Sequence, residues 1–174
     1  FHPSIKQWKE DMEVAKQNKK NAAALKDTNT SGAVVETEVR TYKSIVNRRH
    51  HLVVLAQNQK GLENIFQLIS KSFQGDNFYR FPRIDYEMLE QHSEGIIIST
   101  ACLGGVFAGD MWRNREEGKE VVLDAMRETA RRMTSILGKD RFLAELQWNN
   151  IPEQHELNQY VIQVANCLLY TSPS

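Results

Sequence analysis

Three short apolar runs, each followed by a stretch of helical period, constrain this chain more than any other feature. Leu52 to Ala56 is a compact, valine-containing run that stops at Gln57 and Asn58. From there Leu62, Ile65, Phe66, Ile69 and Phe73 recur at i, i+3, i+4, i+7 and i+11, the spacing of one helix face. A buried strand and then a helix are expected. After a short helix over Tyr86 to Gln91, Ile96 to Ile98 repeats the strand signal, and Gly104 with Gly105 closes it. A long helix from Arg115 to Leu137 then carries Val122, Met126, Ala130, Met133 and Leu137 on one stripe, with Gly138 where a C′ glycine belongs. Phe142 to Gln147 reads as the third strand, and the capping pair Asn150 and Glu153 with Pro152 opens a last helix that buries Leu157, Val161 and Val164. The order β-α-β-α-β-α predicts an α/β fold with a largely parallel sheet, either barrel or doubly wound. Ile97, Leu55, Val53, Leu146, Ile65, Phe66 and Met126 are expected among the least exposed residues.

The flanks read differently. Ser4 with Gln7 forms a capping box ahead of Ile5, Trp8, Met12 and Ala15 at helical spacing, which predicts a helix from Ser4 to Leu25. The run Asp27 to Gly32 is a cluster of turn formers, and the polar stretch up to Arg49 has only a weak helical or extended pattern. Residues 1–49 are thus expected to be a helical N-terminal excursion that packs poorly on the main fold of residues 50–166, with Trp8 and Met12 not extensively buried against the strands. Phe1 is neither a methionine nor part of a charged-then-apolar leader, which predicts a true N-terminus upstream and a fragmentary chain. The tail, residues 167–174 (CLLYTSPS), resembles translated sequencing-adapter read-through and is expected to add no more than a turn to the last helix.

Composition excludes several classes. Lys and Arg number 22 against 22 Asp and Glu, so no net charge draws the chain to nucleic acid or membrane. Every apolar run falls far short of the roughly 18 residues a membrane helix needs. The two cysteines, Cys102 and Cys167, show no CxxC spacing, which argues against a disulfide framework or a zinc finger and for a reducing, cytoplasmic setting.

Sites in α/β folds form beyond the C-terminal ends of parallel strands, and the segment Ser99 to Gly105 lies at such an end. A Cys102 thiolate there can act as nucleophile or soft metal ligand, and the glycine pair lets backbone approach a bound group. A lone cysteine is also, and more often, a small buried hydrophobe. The pair His50 and His51 opens the first strand, where alternation gives each face only one imidazole. Such a histidine is more often packed or solvated than ligated. Arg127, Arg131 and Arg132 form a basic stripe that Glu116, Glu117, Glu120 and Glu128 balance, the pattern of a solvated face. No P-loop, GxSxG or GxGxxG is present.

Five ordered runs, His51 to Asn58, Pro82 to Asp85, Gln91 to Ile97, Ser99 to Gly105 and Arg141 to Gln147, with Ile151 to Gln154 after them, resemble the PHP (polymerase and histidinol phosphatase) domain of bacterial DNA polymerase III alpha subunits. The resemblance covers about Arg49 to Asn166. It implies a partial, distorted seven-stranded (β/α) PHP-type barrel whose complete form holds up to three divalent metals, zinc or manganese. It implies His51 and Cys102 as metal ligands, with the other ligands outside this fragment. It further implies a parent DNA-directed DNA polymerase that works with DNA and other replisome subunits and not with a membrane. The domain's own activity would be 3′-5′ exonuclease or phosphoesterase chemistry. A stand-alone phosphoesterase and a metal-free module bracing the polymerase are the alternatives.

Geometry tests the ligand pair. Parallel strands would put His51, at a strand start, about 15 Å or more from Cys102, just past a strand end, for five residues at ~3.3 Å each. The strand from His51 to Ala56 is therefore expected to run opposite to those at Ile96 and Phe142, bringing both side chains to one cleft.

Overall fold

The computed structural model describes residues 1–24 and 31–168. The chain divides into two compact units, Phe1 with His50–Ser174, and His2–Arg49.

The smaller unit contains α1 (Ile5–Ala24) and α2 (Ser31–Asn47), which lie against each other. The Ser4 hydroxyl accepts from the Gln7 N–H at 3.2 Å and starts α1 as the capping box predicts. Trp8 is fully buried, and Ile5, Met12, Ala15 and Ala22 are buried with it, deeper than a narrow stripe suggests. The helix α2 corrects the sequence reading, because Ser31 and Gly32 were assigned to a turn and the rest to weak structure. Its valines and threonines are poor helix formers. Thr37 and Thr41 satisfy their hydroxyls within the helix by donating to the carbonyls of Ala33 and Thr37, four residues back. Leu25 and Asp27 to Thr30 lie outside the described residues.

The larger unit is α/β. Its three-stranded sheet has the order β1 (Val53–Ala56), β4 (Ile96–Ser99), β5 (Phe142–Leu143), with β1 antiparallel and β5 parallel to β4. Around it lie α3 (Gln59–Ser72), α4 (Tyr86–Gln91), α5 (Val106–Asn114), α6 (Lys119–Leu137) and α7 (Pro152–Leu168). A small hairpin of β2 (Phe78–Tyr79) and β3 (Phe81–Pro82) turns through Arg80, and the buried Arg83 guanidinium donates to the carbonyls of Tyr79 and Phe81. No helix among the described residues is long and apolar enough to cross a membrane.

The core differs from the expected one. Ile96, Ile98, Phe142, Phe107, Met111, Leu123, Met126, Met133 and Leu137 are fully buried. Of the predicted set only Met126 joins them. Val53, Leu55, Phe66 and Leu146 are exposed, and Ile65 and Ile97 half-buried. Register explains the strand residues. Leu55 pairs with Ile97 and Val53 with Ser99, so these side chains share the face opposite to Ile96 and Ile98. The run Leu52–Ala56 is an edge strand with one open face, not a strand covered on both sides.

Helix α3 is turned in the same sense. It buries Gly61, Asn64, Leu68 and Ser72 and exposes Leu62, Phe66, Ile69 and Phe73. The turn follows from a close approach at its start, where a Cβ on Gly61 would lie 1.8 Å from the Gly95 carbonyl oxygen. Asn64 donates to the Glu94 carbonyl at 2.8 Å on the same side. The third strand is also shorter than expected. After the Thr100 N–H bonds to the Leu143 carbonyl at 3.1 Å, the Glu145 N–H turns to the Thr100 hydroxyl, and a side chain ends the ladder.

Candidate metal and phosphoester site

The antiparallel register sets the site. Because Val53 pairs with Ser99, the residues before β1 lie beside those just past β4. The His51 N–H donates to the Gly104 carbonyl at 2.8 Å. Beyond Thr100 the backbone enters the left-handed region at Ala101, φ 59°, a conformation a non-glycine residue adopts only when its surroundings impose it. The following turn closes as the Gly105 N–H donates to the Cys102 carbonyl at 2.7 Å. The Cys102 sulfur accepts from the Gly104 N–H at 3.4 Å and lies 3.6 Å from His51 Nδ1. The expected opposed strands and the meeting of His51 with Cys102 are both present.

The glycine pair has a different role from the one read in the sequence. A Cβ on Gly104 would sit 3.0 Å from His51 Nδ1, and one on Gly105 would sit 2.0 Å from the Thr100 carbonyl oxygen. The glycines let the loop fold onto itself and onto the imidazole. Gly105→Ala must displace backbone, so it is expected to destabilise by about 1–3 kcal/mol and to separate His51 from Cys102. A thermal melt together with the Cys102 reaction rate toward a thiol reagent checks this, and a parent-like rate would refute it.

Geometry allows the pair to share a metal. Zinc bonds of about 2.3 Å to sulfur and 2.0 Å to nitrogen at a tetrahedral angle place the two donors about 3.5 Å apart, close to the 3.6 Å found. His51 is exposed and Cys102 half-buried, so both can be reached. Among the described residues no group of three or more His, Cys, Asp or Glu side chains comes together to hold a metal ion. His51 and Cys102 are thus a pair of donors rather than a complete site.

Two sets of neighbours escaped the sequence reading. Glu145, just past β5, accepts from the Ser99 hydroxyl and from Gln147 Nε2, and its N–H donates to Thr100. It ties the ends of β4 and β5 at the edge that carries Cys102. Its place after a parallel strand was the available signal. The second set runs through α5. Asp110 is buried and accepts from Thr129 Oγ1 at 2.7 Å and from Arg113, whose other nitrogen lies 3.2 Å from His50 Nε2. A guanidinium only donates, so His50 Nε2 accepts and its proton resides on Nδ1. The His50 ring fills the space over Gly109, where a Cβ would be 2.2 Å away. His50 and Phe1 exchange backbone hydrogen bonds of 2.7 and 2.8 Å. The residue preceding His51 is therefore held from two sides.

Burial pushes the Asp110 carboxyl up to about 6, with Thr129 and Arg113 pulling the other way. Burial also raises the Tyr86 phenol to about 12, and Asp110 adds to the effect. The basic stripe is occupied, since Arg127 pairs with Asp124, Arg131 with Glu128 and Arg132 with Glu90.

Residues 10–149 match the model of the PHP domain family. The chain is 36% identical over 138 residues to the DNA polymerase III subunit alpha of Aquifex aeolicus, covering 78% of this chain and 11% of that protein. It is 32% identical over 126 residues to the corresponding subunit of Treponema pallidum, covering 72% and 10%. It is 40% identical over 76 residues to the PolC-type DNA polymerase III of Oceanobacillus iheyensis, covering 43% and 5%. The chain thus spans about a tenth or less of the curated relatives it matches. The family match runs through both His51 and Cys102, and the chain belongs to the PHP domain family; the relatives it is similar to are DNA polymerase III alpha subunits.

Proposed function

We propose that this chain is part of the PHP domain of a replicative DNA-directed DNA polymerase, working in the cytoplasm with DNA and other replisome subunits. Its sheet would be part of a distorted (β/α) barrel, and His51 and Cys102 would bind a divalent zinc or manganese ion there together with donors outside the described residues. The observation that supports this is the 3.6 Å approach of His51 Nδ1 to Cys102 Sγ beyond β4. A bound metal would supply a hydroxide at neutral pH and offset charge on a phosphodiester. The protein's own part is positional. The Gly104 N–H donates to the Cys102 sulfur, Ala101 and Gly105 shape the turn that carries it, and Arg113 with Asp110 holds the His50 segment that presents His51.

Cobalt absorption by the complete PHP domain, which supplies the remaining donors, tests this. Cobalt titration of that domain is expected to give a sulfur-to-metal charge-transfer band. Cys102→Ser should abolish that band, and His51→Ala should weaken binding at least about tenfold. A band that survives Cys102→Ser, or a complete domain that takes up no cobalt, would defeat the metal reading. The second reading, a metal-free module that braces the polymerase, draws on the gathering of only two donors among the described residues.

A further inference from the structure

Two tryptophans are open to solvent on the larger unit. Trp112 on α5 is 44% exposed and Trp148, between β5 and α7, is 76% exposed. Exposed indoles are unusual, because each leaves a large apolar area in water. Their placement is not arbitrary. Because β4 and β5 are parallel neighbours, the loops that follow them leave from one end of the sheet. Trp148 lies beyond β5 and Cys102 beyond β4. Trp112 belongs to the same end, since its Nε1–H donates to the Leu103 carbonyl, next to Cys102, at 3.3 Å. The Arg115 guanidinium lies 5.4 Å from the Trp112 ring centroid and is itself bonded to Glu156 at 2.6 Å. One edge and one side of the Trp112 indole are therefore anchored, while much of the ring stays open.

We propose that Trp112 and Trp148 are stacking platforms for unstacked bases of a single DNA strand, and that they lead its phosphodiester backbone toward His51 and Cys102. The choice of a DNA strand as occupant rests on the reading above, but the platforms are tested separately from the metal. Bases of any identity stack on aromatic rings, and loss of one such ring weakens single-strand binding by about five- to a hundredfold. The charge pattern sharpens the expectation. Arg115 is paired with Glu156, Arg113 with Asp110, and the net charge of the chain is zero. Stacking, not phosphate neutralisation, carries the affinity. Its salt dependence should then be shallow, with a slope of about −1 or less in magnitude on a log–log plot, as expected for one or two phosphate contacts.

The test is fluorescence anisotropy of a labelled oligothymidylate with the full 174-residue chain. Trp112→Ala and Trp148→Ala are each expected to weaken binding by about tenfold or more, whereas Trp112→Phe stays within about threefold because a ring remains. A duplex should bind at least about tenfold more weakly than the single strand, since its bases are already stacked. Thermal melts report that the variants remain folded, as both side chains are exposed. Unchanged affinity in both alanine variants, equal affinity for duplex, or no binding by the parent chain overturns the proposal. So does a parent chain that self-associates in light scattering while its alanine variants stay monomeric and bind the strand as before, which would assign the indoles to a protein contact. Strand binding through the tryptophans, with no cobalt uptake by the complete domain, retains this inference and loses the metal reading. The reverse result separates them the other way.

Discussion

Phe142→Ala is expected to destabilise the larger unit by about 3–5 kcal/mol, the range for emptying a fully buried aromatic site. Phe142 is 1% exposed, pairs with Ile98 in the register of β4 and β5, and meets the Phe107 ring edge-on at 5.9 Å. The substitution removes a ring from the junction of β4, β5 and α5, and neighbours fixed in both strands and helix can close the space only in part. At about 2–4 °C per kcal/mol for a chain of this size, the melting midpoint should fall by roughly 6–20 °C. Leu143→Ala is the internal control. Leu143 follows in the same strand but points to the other face and is 46% exposed, so its loss should cost under about 1 kcal/mol. Comparable losses in the two variants would show that the β5 register is wrong.

That contrast also marks what the sequence could and could not convey. Period and punctuation were enough to find β1, β4, α3, α6 and α7, because each has either a compact apolar run or a regular stripe. The antiparallel course of β1 was legible because the family resemblance makes His51 and Cys102 ligands of one site, and they could meet in no other arrangement. Facing was not legible. Leu55 and Ile98 look alike in a run of aliphatic residues, and only the edge position of β1 puts Leu55 in the open. Helix α5 was missed because Val106 to Met111 are all buried. A helix buried on every side has no stripe to announce it. Within the site, His51 and Cys102 were picked out by the resemblance to the PHP family, whereas Glu145, Arg113 and Asp110 look in sequence like ordinary surface charges. Their roles depend on Ser99, His50 and Thr129, which only folding brings near.

Asp110 supplies the remaining large effect, and it depends on pH. Its carboxyl is buried and its pKa rises from the usual 3.8 to about 6. Between these values the folded protein holds a proton that the unfolded chain has released. Stability from this group is therefore greatest below about pH 4, declines as pH rises, and reaches its low plateau above about pH 6. Two pH units at about 1.4 kcal/mol each give a change on the order of 2–3 kcal/mol. His92, whose pKa burial lowers, also contributes to the pH dependence, so the raw stability curve mixes more than one group. The difference between the parent and Asp110→Asn removes the shared contributions. That difference, from denaturant unfolding at several pH values, should move by about 2–3 kcal/mol in favour of the asparagine variant between pH 4 and pH 7, then level off. A difference independent of pH would sink the assignment. The chain keeps an ionised Asp110 at neutral pH against this cost, and the carboxylate's partner explains why that can serve the site. Asp110 fixes Arg113, and Arg113 fixes His50 beside the imidazole that faces Cys102. Asparagine can still accept from Thr129, but it removes the charge that holds Arg113. The variant that is relatively more stable at pH 7 than at pH 4 should also be the one whose His50 ring signal in NMR shows the greater mobility.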